Sequence, residues 1–257
     1  MDWSNTKTLF IITFLILNIF LGLQLVQKKD GSQLDLLTEL SVDEKFAQEE
    51  ITYRPLPKEP KESSYISGKI KIFSEEDVEN LKNQDIDIAT PGLLKGVFQN
   101  PIKLSLTDFP KINQFVRENM IFGDSYAVWD VDEESKTVVL FQQYKNRFIF
   151  NTSNISGLLI LDLNDKNEVI SYQQTLITDV EEHEGEELIT PIQTLEMLFN
   201  NDHLKSGSNV TKVEIGYYPL VPFSESQLLA PTWHIVIDEK TDIFVNAIEG
   251  QIIKKTE

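Results

Sequence analysis

The sequence contains no cysteine. Disulfide frameworks, thiolate nucleophiles and zinc–thiolate sites are excluded, and the absence fits either side of a membrane. Histidine is scarce too, with three residues among 257. Basic residues are in deficit: 23 Lys and Arg face 41 Asp and Glu, a formal net charge of −18. Nucleic acid and anionic lipid both reward clustered Lys and Arg, so neither is an expected partner of the folded part. The bland consequence of such a charge is a solvated, self-repelling surface. Phosphate cradles of the G-x-x-x-x-G-K or G-x-G-x-x-G kind are missing, as is the G-x-S-x-G turn of a hydrolase nucleophile.

What the chain does have is one long apolar run. From Leu9 to Val26 there are 18 residues, and 14 are Leu, Ile, Phe or Val. At 1.5 Å per residue this is roughly 27 Å, close to the hydrocarbon thickness of a bilayer. The exit, Leu-Val-Gln-Lys-Lys, offers no pair of small residues for cleavage and no cysteine for a lipid. An uncleaved single-span anchor is expected over 9–26, after a tail at 1–8. Trp3 and Lys28 with Lys29 would mark the two interfaces. Counting Lys and Arg leaves the orientation nearly tied, or tilted toward a cytoplasmic C-terminus.

Four residues interrupt the run. At 100° per residue Asn18 and Gly22 lie about 40° apart, while Thr13 and Gln24 lie within roughly 20° of each other on a nearly opposite side. In lipid, helices associate through small residues and side-chain hydrogen bonds. The Asn18/Gly22 face is expected to dock one partner helix and the Thr13/Gln24 face another. The bland alternative is tolerance, with Gln24 near enough to the interface to snorkel.

Past residue 29 the chain carries 20 basic and 40 acidic residues, a formal charge of −20. Residues 27–64 read as a juxtamembrane helix, with Leu36, Leu37, Leu40 and Phe46 loosely spaced, and then the proline-alternating tether RPLPKEPKESS. The folded domain is expected to begin near Tyr65. SGKIKIF reads as a strand, and SEEDVENLKNQ as a helix opened by a box of Ser74 and Asp77. In LTDFPKINQFVRENMI, Phe109, Ile112, Phe115, Val116 and Met120 form one helical face, with Pro110 in the first turn and Asp108 or Thr107 capping. From Ser125 the period falls to two, in short runs that leave no room for crossover helices, so the strands should be antiparallel. TPIQTLEMLFNN is a second helix, capped by Thr190, with Pro191 at its first position and Ile192, Leu195, Leu198 and Phe199 buried. A second meander ends the chain. The expected class is α+β, with antiparallel meander sheets and packed helices, divided into subdomains 65–150 and 151–257. The match of VWDVDEESKTVVLF to WHIVIDEKTDIFV raises the possibility of two similar halves.

Few residues offer chemistry. His183 lies in the acidic run VEEHEGEEL, where carboxylates and an imidazole could hold a cation, but the spacing matches no calcium loop and a solvated loop is favoured. His203 follows a helix end, where a cation complements the dipole. His234 neighbours Trp233 in a strand and should pack or hydrogen-bond there. No catalytic, metal or cofactor residue is assigned.

The segments MDWSNTKTLFIITFLILNIFLGLQL, FSEEDVENLKNQDIDI, GDSYAVWDVDEESKTVVLFQQYKNRFIFN, IGYYPLV and PTWHIVIDEKTDIFVNAIEGQII together resemble the YycI (WalI) family, over essentially the whole chain. The resemblance implies a single-pass cell-membrane protein with a cytoplasmic N-terminus, an extracellular C-terminal domain, no cofactor and no enzymatic activity. It further implies partnership with the related protein YycH and with the sensor histidine kinase WalK (YycG) of the two-component system controlling cell-wall metabolism in low-GC Gram-positive bacteria. The two polar faces of the anchor would then meet those partners. The closing FVNAIEGQII more loosely resembles the last hairpin of PepSY domains. The rival reading is a wall- or peptide-directed hydrolase, or a protease inhibitor, displayed outside the cell.

Overall fold

The computed structural model describes residues 13–15, 17, 18, 41–58, 62–151, 156–220 and 226–256. They fall into two units, Met1–Glu50 and Ile51–Glu257.

In the first unit, residues 13–15, 17 and 18 are helical and exposed. Helix α1 (Val42–Gln48) starts at a capping box: Ser41 Oγ accepts from the Glu44 N–H at 3.2 Å, and Ser41 N–H donates to Glu44 Oε2 at 2.9 Å. Leu36, Leu37 and Leu40 lie outside the described residues. Among the described residues no helix is long and apolar enough to cross a membrane; most of the expected span 9–26 lies outside them.

The second unit holds two sheets, each of seven described strands. One runs β3 (Gln84–Asp87), β4 (Leu94–Lys103), β9 (Glu168–Gln174), β8 (Leu158–Leu163), β6 (Thr137–Tyr144), β5 (Tyr126–Asp132), with β7 (Arg147–Phe148) attached to β6. The other runs β1 (Thr52–Tyr53), β11 (Asn209–Pro219), β12 (Ser226–Ile237), β13 (Thr241–Asn246), β14 (Ile252–Thr256), and also contains β2 (Glu62–Ile70) and β10 (Ile177–Glu187). Every pairing between these strands is antiparallel except β1 with β11; short turns impose this on the consecutive meander strands, while β2–β10, β2–β12 and β4–β9 pair across long separations. The second sheet forks. One edge of β12 follows β11, while the other holds β2 along Ser226–Leu229 and then β13 along Thr232–Ile237.

Helix α3 (Phe109–Asn119) is capped by Asp108, whose carboxylate accepts from the Lys111 N–H at 3.2 Å, with Pro110 in its first turn. Its Ile112, Phe115 and Val116, with Met120, join Leu94, Phe98, Leu140, Leu161, Val169 and Tyr172 in one apolar core. Phe109, expected in that stripe, is 45% exposed because it stands at the first helical position, before the stripe meets the sheet. Helix α4 (Pro191–Asn200) has the expected Thr190 cap, completed by Gln193. It buries Leu195 and Leu198, but Thr194 and Pro191 in place of Ile192 and Phe199, which are half-buried. Helix α2 (Glu75–Val78) keeps the Ser74–Asp77 box yet lasts only four residues.

β2 begins at Glu62, three residues before the expected start of the domain, and Thr52–Tyr53 already pairs with Asn209–Val210. β8 and β9 follow residue 151 yet complete the sheet of β3–β7, while β2 joins the strands after Asn209. Each of α3 and α4 is followed by a four-stranded meander, β5-β6-β8-β9 and β11-β12-β13-β14. The two Trp-bearing hairpins are not equivalent, however. Trp129 lies on the first strand of its meander and Trp233 on the second. Their turns also differ: one has Lys136 at positive φ, the other Asp238 and Glu239.

The sheets meet through aromatic side chains. Phe141, Leu158, Trp129 and Ile160 from the first sheet pack with Phe150, Tyr218 and Phe244. Residue Ile149 bridges to Tyr217, and Phe150 N–H donates to the Tyr217 carbonyl at 2.8 Å, joining the first sheet to β11.

Candidate interaction site

Of the four residues expected to make helix contacts in the membrane, Thr13 and Asn18 are helical and exposed, whereas Gly22 and Gln24 lie outside the described residues. The three histidines all lie among the described residues. His203 lies just past α4, its N–H bonded to the Leu198 carbonyl at 2.9 Å. His183 does not lie in a loop as expected: it is on strand β10. The acidic run escapes recognition as a strand because Glu181–Glu187 is exposed throughout, so no alternation of apolar and polar residues is imposed.

His234 is the buried one, 1% exposed on β12. Its Nδ1 lies 3.0 Å from Glu214 Oε1 on β11, and its Nε2 lies 2.6 Å from Asp242 Oδ1 on β13. The ring stacks on Phe244 at 4.7 Å, and the Trp129 ring lies 4.9 Å away. Lys212 Nζ bonds Glu214 at 2.7 Å and sits 4.6 Å from the Trp129 centroid, a cation–π contact. Burial pushes the Glu214 carboxyl up, but hydrogen bonds from His234 and Lys212 more than offset this and hold it below the usual range. Both imidazole nitrogens face carboxylates and the ring lies against aromatic side chains, so the group ties three strands together and is not presented to a substrate. The expected packing and hydrogen bonding of His234 is what the structure shows.

An accessible concavity lies at the fork of the second sheet. This cleft of about 560 Å³ is lined by Tyr65 of β2, by His183, Glu184 and Glu186 of β10, by Leu220 and Leu228 beside the β11–β12 connection, and by Glu249 after β13. Tyr65 Oη donates to Glu249 at 3.3 Å and accepts from Asn246 Nδ2 at 3.4 Å. Burial, ahead of its hydrogen bonds, raises the Tyr65 phenol above its ordinary value. Leu220 and Leu228 are 36% and 38% exposed. Among the described residues no group of three His, Asp or Glu is placed to hold a metal ion. The lining of this concavity combines two exposed leucines and a phenol with the carboxylates of Glu184, Glu186 and Glu249. Only the acidic half of it had a signal in the sequence.

A model of the family described as YycI protein matches residues 31–248. The chain belongs to the YycI family. That membership supports a role in regulation of the YycG/YycF two-component system. No curated protein matches the chain. Among solved structures, an uncharacterized protein from Eubacterium rectale superposes with a TM-score of 0.50 at 11% identity, covering 80% of this chain and 91% of its own. It shares the fold alone. The C-terminal domain of YpeB from Bacillus megaterium gives a TM-score of 0.42 at 14% identity, covering 73% of this chain and 99% of that domain.

Proposed function

We propose that this YycI-family protein is a membrane-anchored, extracytoplasmic regulator that acts, together with a YycH-like protein, by binding the sensor histidine kinase YycG. The observation that carries the proposal is the family match over residues 31–248. The run 9–26 supplies the anchor, with its N-terminus in the cytoplasm and residues after it outside the cell. Thr13, Asn18, Gly22 and Gln24 supply its polar contacts, and the outer domain contributes further ones. Interhelical hydrogen bonds of this kind contribute only about 0.6–2 kcal/mol each. Such a contribution biases a kinase between two states and does not lock it in one. The protein performs no catalysis of its own. In support, the buried His234 is engaged in cross-strand bonds to Glu214 and Asp242.

The test is kinase-dependent reporter output in cells lacking the native gene, complemented with the full chain, with residues 1–30 alone, or with the full chain carrying an unrelated apolar helix at 9–26. The regulator reading expects the full chain to shift output and the helix swap to disturb that shift, while His183→Ala and His234→Gln proteins that fold leave it intact. Output that ignores the anchor but collapses with either histidine would overturn it.

A further inference from the structure

The outer domain also shows where one such contact would form; the inference rests on the regulator reading and gives it a surface. Strand β10 pairs with β2 along one edge only. Its other edge is closed at the base, where the Gln142 side chain takes both backbone groups of Ile177. Beyond that point Glu181–Glu187 is exposed throughout, and among the described residues no strand adds to it. An open edge is a row of unpaired N–H and C=O groups, a template for another strand.

Charge on an edge usually prevents such pairing. Here it is of one sign: Glu181, Glu182, Glu184, Glu186 and Glu187, with Lys145 on Glu182 at 2.7 Å as the ion pair made there. A second copy of this chain, at a net −18, would be repelled. A basic strand would be drawn in.

We propose that the open edge of β10 takes an extended, lysine- or arginine-bearing segment of a partner protein, added as a further strand. Its backbone would bond to Glu181–Glu187, and its cations would meet Glu184 and Glu186.

The test places the photo-crosslinking residue benzoylphenylalanine at Glu184 of the full chain in its native membrane, and separately at exposed Glu118 on α3 as a control. Joined products are identified by mass spectrometry of the linked peptide. The expected product joins position 184 to YycH or to the kinase through a peptide bearing Lys or Arg. It should fall by roughly tenfold when Glu186→Lys and Glu187→Lys are combined, with the melting temperature unchanged. A linked dimer of the chain itself, an equal yield from position 118, or indifference to the charge reversal would overturn the assignment. So would an absent product while the kinase still co-purifies with the chain, a result that leaves the regulator reading standing. Loss of co-purification of the unaltered chain would instead remove both.

Discussion

The side-chain amide of Gln142 hydrogen-bonds both backbone groups of Ile177: Nε2 donates to the carbonyl and Oε1 accepts from the N–H, each at 2.8 Å. A side chain on β6 thereby imitates a strand and joins the first sheet to β10 of the second. Gln142 is buried, so Gln142→Leu would leave two backbone groups without partners in an apolar setting. Each such group costs roughly 1–3 kcal/mol. Denaturant unfolding of the full chain in detergent is expected to show a loss of about 2–5 kcal/mol. An unchanged midpoint would mean that water replaces the amide freely.

Gly96 on β4 stands opposite Tyr172 on β9, and the phenol ring lies over the glycine. A Cβ built on Gly96 would come within 2.2 Å of Tyr172 Cε1. Gly96→Ala should therefore cost about 1–3 kcal/mol through overpacking. The Tyr172 hydroxyl is buried with no hydrogen-bonding partner among the described residues. Tyr172→Phe is accordingly expected to leave stability unchanged or raise it. Tyr126→Phe is the contrast, because the Tyr126 hydroxyl donates to the Thr175 carbonyl at 2.6 Å, and its loss should cost about 1 kcal/mol. Equal effects of the two phenylalanine variants would refute this contrast.

Glu214 makes the stability sensitive to acid. Its folded pKa lies below the unfolded one, so its contribution is present above about pH 4.3 and is lost as pH falls through the lower folded value. Glu214→Gln should reduce stability at neutral pH and flatten the decline in acid. Thermal melts of both proteins from pH 7 down to about pH 3 check this. Parallel curves would show that Glu214 titrates alike in the folded and unfolded chain.

Much of the architecture was legible because it is local. Thr190 with Pro191, and Asp108 with Pro110, announced α4 and α3 through capping and ring geometry. The antiparallel order followed from turns too short for crossovers. Strand adjacency was not legible: nothing in the period of GLLILDLND says that it lies beside β6 and β9, since both sheets accept the same alternation. β10 was missed for the opposite reason, an exposed edge leaving no period at all. The Gln142–Ile177 bond spans 35 positions and no spacing rule foretells it. The expected contacts of Gly22 and Gln24 lie outside the described residues.

The central claim is that the protein alters a kinase by touching it while both are held in one membrane. The most direct measurement is the rate of kinase-dependent phosphorylation of the response regulator YycF in proteoliposomes. It would compare the kinase alone, the kinase with the full chain, and the kinase with a chain carrying an unrelated apolar helix at 9–26. The account predicts that the full chain shifts the rate and that the helix swap largely abolishes the shift. A rate that is identical in all three preparations, with the YycH-like protein also present, would contradict it.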